Sequence, residues 1–339
     1  MNTIGNYFRL TTFGESHGAA IGGIVDGCPS KLKLDFDFIE SELNRRKTAQ
    51  SSTASQRMES DYIEWLSGLL DGVTLGTPIA FMVRNEDCKS ADYEVLKDVY
   101  RPSHADFTYE RKYGLRDWRG GGRASARTTL PIVVAGAIAK QILKEKDIKV
   151  FAEVTEMGDM QQAQREGDTV GGIVECRIIG APAGLGEPMF GKFSAELAHA
   201  MFSLPAVKGF EIGDGFALAK MKGTEANDTF INKMDAGLRD ARRETSPESC
   251  ANITTLTNHS GGIQGGISNG NDIVFRVVFK PIPSIAKPQQ TVTRAGEPCE
   301  IAIEGRHDVC ALPRAVVLVE ALAAMVTVDA LLLQQARHL

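Results

Sequence analysis

The chain has 339 residues and a formal net charge of −5, with 43% apolar and 24% charged side chains. That balance excludes a mostly disordered chain, a collagen or coiled-coil repeat and a general nucleic-acid binder, and it leaves enough apolar surface for a sizeable core. The six cysteines, at 28, 88, 176, 250, 299 and 310, form no CxxC pair, so they indicate neither a metal site nor a disulfide framework.

Residues 6–12 read as a short strand running into a turn, and 21–25 as another. Residues 37–46 carry a helical pattern, with Asp37 as cap and Glu40 three positions on, as in a capping box. A short helix is predicted over 93–99. A longer one is predicted over 124–146, opened by Gly120, Gly121 and Gly122 and containing Pro131. The β-branched runs 170–179 and 272–279 read as strands, 301–303 as a further short one, and 315–335 as a long apolar helix. Within that helix, 315–333 is apolar enough to raise a membrane span. It contains Glu320 and Asp329, however, and a central Asp costs about 2.5–3.5 kcal/mol in a bilayer. A buried core helix and no membrane association are therefore expected.

Strands and helices do not alternate in βαβ units, which predicts an α+β fold of antiparallel sheets with helices packed on them. No linker or repeat divides the chain, so one domain over 1–339 is expected, with a polar surface insertion at 223–249 that is helical over 230–243. The first 26 residues lack a basic segment followed by an apolar one, so a cytoplasmic location is expected.

Three segments carry chemistry. In the first, Gly14-Glu15-Ser16-His17-Gly18, two glycines bracket a carboxylate, a hydroxyl and an imidazole in a turn. It matches the GxSxG of serine hydrolases, but a glycine-broken, β-like run follows it where that motif needs a helix. The second runs from Arg101-Pro102-Ser103-His104 to Arg127 and holds seven Lys/Arg against three Asp/Glu. Its glycines ahead of a predicted helix, with Arg123, Ser125 and Arg127, offer donors suited to phosphate. Arg45, Arg46, Lys47 and Arg57 form a smaller basic cluster. The third segment is Arg306-His307-Asp308, before the long helix. The residues alone indicate a strongly anionic, phosphorylated small ligand and histidines able to transfer protons near neutral pH.

At these segments the chain resembles the chorismate synthase family. Gly14 to Gly18 with Ile24 to Pro29 is similar to that family's first signature, Gly122 to Gly136 to its second, and Arg306 to Cys310 with Glu320-Ala321-Leu322 to its third. The similarity runs from about Ile4 to Leu333. It implies a layered sandwich with helices between two antiparallel sheets, assembled as a homotetramer. It also implies the anti 1,4-elimination of phosphate from 5-enolpyruvylshikimate 3-phosphate to give chorismate, the last common step of the shikimate pathway to aromatic amino acids. That step requires reduced FMN without net redox change, with NADPH as a reductant.

The resemblance further implies roles for single residues. His17 would protonate the departing phosphate, and His104 would keep the reduced flavin in its protonation state. Asp308 would work with flavin N5, and Ser16 and Ser125 would order the proton relay. Flavin contacts carried over are Arg123, Ala124, Ser125, Ala206, Gly265, Lys280, Pro281, Ile282, Pro283, Ser284 and Arg306. Arg46 matches an arginine that binds NADPH or substrate anions, and Arg57 is the cation that could compensate for Ser52, where the family often has a second arginine. The chain also departs from the usual pattern at Ala124, Pro205 and Pro283.

Overall fold

The computed structural model describes residues 1–48, 61–85, 93–94, 96–232, 253–303 and 308–337. Two antiparallel sheets enclose a layer of helices, the architecture the family resemblance implies. The first sheet contains Thr3–Ile4 (β1), Arg9–Phe13 (β2), Ala20–Asp26 (β3), Glu64–Trp65 (β4) and Ile79–Arg84 (β5), in the order β1-β2-β3-β5-β4. The second contains Lys149–Met157 (β6), Gly172–Ile179 (β7), Val207–Ile212 (β8) and Ile273–Phe279 (β9), in the order β8-β9-β7-β6. The side chains of a strand alternate between faces, and here one face of each sheet meets the helices. Ile79, Phe81 and Val83 of β5 and Ile273, Phe275 and Val277 of β9 are buried accordingly.

The helices are Phe36–Thr48 (α1), Asp106–Tyr113 (α2), Leu130–Lys144 (α3), Phe193–Phe202 (α4) and Leu312–Gln335 (α5), with shorter turns between. α3 packs on β3 of the first sheet and α5 on β6 and β7 of the second, while α3 and α5 pack on each other. Glycines set these distances. A methyl at Gly23 would lie 3.1 Å from Pro131 Cβ, so α3 sits close on β3. A methyl at Gly136 would lie 2.2 Å from Ala321 Cβ and 2.5 Å from its Cα, so the two central helices touch backbone to backbone. Alanine is worth roughly 1 kcal/mol more than glycine within a helix. The contact with Ala321 outweighs that preference.

The two carboxylates of α5 explain why so apolar a helix belongs to the core. Glu320 is buried and accepts from Arg45 of α1 at 2.6 and 2.9 Å, from Lys140 of α3 at 2.5 Å and from the Ala152 N–H of β6 at 2.9 Å. One side chain thus ties three helices to the second sheet. Asp329 accepts from the backbone N–H groups of Asn6, Tyr7 and Phe8 at 2.8, 2.6 and 2.8 Å. A buried donor left without a partner costs about 1–3 kcal/mol, so this carboxylate holds the entry to β2 in place. α5 is the one helix among the described residues long and apolar enough to cross a membrane, and 67% of its most apolar window is buried inside the protein.

Several boundaries differ from the sequence reading. α1 is capped by Asp35, whose Oδ1 accepts from the Phe38 N–H at 2.9 Å, and not by Asp37. The long central helix starts at Leu130 rather than 124, with Pro131 in its first turn, where a missing N–H costs nothing. The glycines ahead of it are not its N-terminus: Gly120, Gly121 and Gly122 all have positive φ, at 57°, 79° and 52°. Phe230–Asn232, predicted to begin a helix, is instead a strand paired with Ile253–Thr255. Asp228 supports that pairing by accepting from Thr257 Oγ1 at 2.7 Å and from the N–H groups of His259 and Ser260 at 2.8 and 2.9 Å. The rest of the 230–243 prediction lies outside the described residues.

Candidate active site

Ser16 and His17 sit in the turn between β2 and β3 and are 1% and 9% exposed. No helix follows: β3 begins at Ala20, so the GxSxG match lacks the strand–turn–helix context of a hydrolase. The turn is held from both sides. Asn85, just after β5, donates to the carbonyls of Glu15 and Gly18 at 3.0 and 2.8 Å, and the Ser16 N–H points to the Gly122 carbonyl at 3.4 Å. The His17 ring meets Tyr93 edge-on, with centroids 5.2 Å apart.

The glycine run brings the two histidines together. A methyl at Gly120 would stand 2.3 Å from His17 Cδ2, and one at Gly121 would stand 3.5 Å from His104 Cε1. At Gly120 only a residue without a Cβ lets the backbone run this close to the imidazole, and at Gly121, where a methyl would make ordinary contact, the φ of 79° favours glycine. His104 Nδ1 is 3.0 Å from Asp106 Oδ1, and Asp106 is held by Arg101 through both its oxygens, at 2.7 and 2.8 Å. Burial first, then the neighbouring Arg101 and Arg116 charges, push the His104 pKa below the usual histidine value despite Asp106.

A cavity of about 960 Å³ opens beside this run, and His104, Gly121, Arg123 and Ala124 are among the residues that line it, with Tyr109 and Tyr113 on another side. The Arg123 guanidinium donates to the Gly14 carbonyl at 2.9 Å and to Thr12 Oγ1 at 2.7 Å, which anchors it to the wall.

Behind the Ser16–His17 turn lies a buried basic cluster. Asp61 accepts from Arg127 at 2.9 Å, lies 3.4 Å from Arg46 Nη2 and 3.5 Å from Lys47 Nζ, and Arg127 also donates to Asn85 at 2.7 Å. Arg314, in the first turn of α5, pairs with Asp308 at 3.3 Å and repels Arg46. Four cations thus surround two carboxylates among the described residues. Burial pushes the Arg46 pKa down to about 10, opposed by Asp61 and reinforced by Arg314 and Arg127. Its Nε is buried with no hydrogen-bond partner. An unsatisfied buried guanidinium N–H beside surplus positive charge is a place for an anion, since a ligand oxygen would remove both costs.

Of the residues singled out in the sequence, the structure gathers Ser16, His17, His104, Arg123 and Ala124 around the glycine run, and Arg46 and Asp308 at the basic cluster. Ser125 Oγ accepts from the Arg127 N–H at 3.4 Å and so caps the turn that carries Arg127. Lys280 Nζ donates to the Ser103 carbonyl and Oγ at 3.1 and 3.0 Å, and its backbone N–H donates to the Ala206 carbonyl at 2.9 Å, joining both to the His104 loop. Ala206 takes a left-handed φ of 69°, and its neighbour Pro205 lines the cavity.

Pro281 to Ser284 run instead along the 167–171 loop: the Ile282 carbonyl accepts from Thr169 Oγ1 at 2.7 Å, and a methyl at Gly171 would lie 3.0 Å from Pro281 N. Gly265 is the turn of the Ile263–Gln264 and Ile267–Ser268 hairpin and does not line the cavity. Arg57, Arg306 and Ser52 lie outside the described residues. Asp61, Asn85, Asp106 and Arg314 were not singled out. Only Asp106 carried a local signal, the His-x-Asp spacing to His104.

Two histidines thus meet at one glycine run, next to a cavity and a cluster of guanidiniums, a setting suited to a small, multiply charged anion. The sequence pattern described as chorismate synthase matches residues 8–166 and 157–332. The chain is 48% identical to a chorismate synthase of Porphyromonas gingivalis, covering 98% of this chain and 96% of that protein. It is 47% identical to a chorismate synthase of Parabacteroides distasonis, over 100% and 99% of the two chains. A crystal structure of a chorismate synthase superposes with a TM-score of 0.73 at 28% identity, over 97% of this chain and 93% of that one. The chain belongs to the chorismate synthase family, whose members are carbon–oxygen lyases.

Proposed function

We propose that the chain converts 5-enolpyruvylshikimate 3-phosphate to chorismate and phosphate by anti 1,4-elimination, with reduced FMN bound and no net redox change. The observation that carries this reading is the meeting of His17 and His104 at one glycine run beside the Arg46–Arg127–Arg314 cluster. The substrate bears two carboxylates and a phosphate, and the orphaned Arg46 Nε and the surplus cations fit such a ligand. Buried guanidiniums bind phosphate more strongly in a dry site than in water and stabilise charge as it develops on a leaving group. In this reading His17 gives a proton to the departing phosphate, and the Ser16 hydroxyl beside it orders that proton. Asp308, paired with Arg314, is the carboxylate of the reading that relays the proton taken from the substrate.

The cavity fits a flavin mononucleotide. Its volume lies at the upper end of ligand pockets, about 300–1,000 Å³. Arg123 and Ala124 would hold the cofactor at the glycine run, with His104 facing it. When bound, reduced FMN supplies an electron-rich ring beside an electron-poor allylic centre. Family membership supports NADPH as reductant, a homotetramer and a cytoplasmic location within the same reading.

Titration calorimetry with the substrate and oxidised FMN, which permits binding without turnover, tests the anion site. Removing a charge-assisted hydrogen bond costs about 1.5–3 kcal/mol, so Arg314→Met is expected to weaken substrate binding by about 10- to 100-fold. An unchanged Kd contradicts the assignment of this cluster to the substrate.

A further inference from the structure

One buried carboxylate has no part in the chemistry above. Asp106, at the start of α2, is 4% exposed. Its Oδ1 receives His104 Nδ1 at 3.0 Å and Arg101 Nη2 at 2.8 Å, and its Oδ2 receives Arg101 Nε at 2.7 Å and the Arg101 N–H at 3.2 Å; Arg116 Nη1 lies 3.2 Å from Oδ1 as an ion pair without a hydrogen bond. Arg116 is itself fixed: it donates to the carbonyls of Leu96, Lys97 and Val99 at 2.7, 3.1 and 3.0 Å and stacks 5.6 Å over the Tyr100 ring.

Burial alone would raise the Asp106 pKa, but the hydrogen bonds from Arg101 and His104 outweigh it and hold the carboxyl far below its usual range. An ionised carboxylate only accepts. The proton on His104 therefore sits on Nδ1, and Nε2, 3.6 Å from where a methyl on Gly121 would stand, keeps its lone pair.

We propose that Asp106 is a positioning residue that fixes His104 as the Nδ1–H tautomer with Nε2 turned to the cavity. Two guanidiniums on the same carboxylate give this pair its character. An aspartate alone beside a histidine orients the ring and also favours the imidazolium. Arg101 and Arg116 cancel the charge of Asp106, so the orientation is kept and the ring stays neutral. Among the described residues, the other charged groups around the loop include Lys280, which holds Ser103, and Glu110, which lies 3.5 Å from Arg116 Nε and also pairs with Arg294. The consequence is a His104 that presents a proton acceptor to whatever the cavity holds. Its role in catalysis rests on the reading above, in which that cavity is the reaction site; the tautomer itself does not.

Nitrogen-15 NMR of the full-length protein labelled at histidine tests both, with His104 assigned by its disappearance in His104→Gln. At pH 7.5 the expected spectrum has a protonated Nδ1 and an unprotonated Nε2. A protonated Nε2, or an imidazolium, overturns the proposal. In Asp106→Asn, whose amide can donate to Nδ1, the tautomers are expected to mix or reverse. Turnover with reduced FMN should fall about 10- to 100-fold, as when the orienting partner of a histidine is lost. Added to His104→Gln, the same substitution should cost no further activity, whereas a role in holding α2 alone would lower activity again in that background. An unchanged His104 tautomer in folded Asp106→Asn contradicts the positioning role. If that variant does not fold, the wild-type spectrum decides the tautomer. Inactive wild-type protein with the expected tautomer would refute the proposed reaction and leave the tautomer standing.

Discussion

His17→Ala is expected to lower turnover by about 10²- to 10⁴-fold, the usual contribution of a positioned general acid, while the protein remains folded. The His17 imidazole lies in a turn outside the helix layer, and the Gly120 backbone and the Tyr93 ring are among the groups it packs on. The core that holds the fold is built from the inner faces of the two sheets and from α3 and α5, and His17 is not part of it. Chemical turnover and stability should therefore separate. Single-turnover kinetics with reduced FMN, set beside thermal unfolding, check this. Partial rescue by added imidazole is expected, because the vacated space is the size of the lost ring. Turnover within twofold of wild type would remove His17 from the proton path.

Gly120→Ala is expected to cost turnover at least tenfold, although the substitution adds a single methyl. That methyl would stand 2.3 Å from His17 Cδ2 and 2.4 Å from Nε2, so either the imidazole or the glycine run must move. A displacement of about 1 Å of a catalytic group costs up to about 10²-fold. Gly114→Ala is the matched control. Gly114 also has a positive φ, 78°, but a methyl there meets nothing within 4 Å. Both variants carry the left-handed strain of about 1–2 kcal/mol, so both should melt a few degrees early. Only Gly120→Ala should lose activity. Equal activity in the two variants would mean that Gly120 matters for backbone conformation alone.

The chemistry was more legible than the path of the chain. His17, His104 and Arg123 announced themselves because histidines and arginines interleaved with glycines are a poor design for a solvated surface. The α+β class followed from β-branched runs bounded by glycines without βαβ alternation. β6 escaped notice because it lies at the edge of its sheet with most residues exposed, so no apolar period of two marks it. The start of α3 was misplaced because three consecutive left-handed glycines cannot enter a helix, and local propensity does not report the sign of φ. Asp61 and Asn85 reach Arg127 from 66 and 42 residues away, and only tertiary packing joins them to it; Arg314 pairs locally with Asp308, six residues before it, but meets Arg46 only in the fold. Lys280 shows the same limit from the other side. The resemblance marks it as a flavin contact, and the fold adds what its sequence position does not tell, that its ammonium holds Ser103, one residue from His104.

The most direct test of the whole account is an anaerobic assay on the purified full chain. Chemically reduced FMN and 5-enolpyruvylshikimate 3-phosphate are mixed with the protein, and chorismate absorbance and phosphate release are followed together. The expected result is one phosphate for each chorismate, with neither product when the FMN is oxidised. Bound FMN and substrate with no release of phosphate under reducing conditions would contradict it.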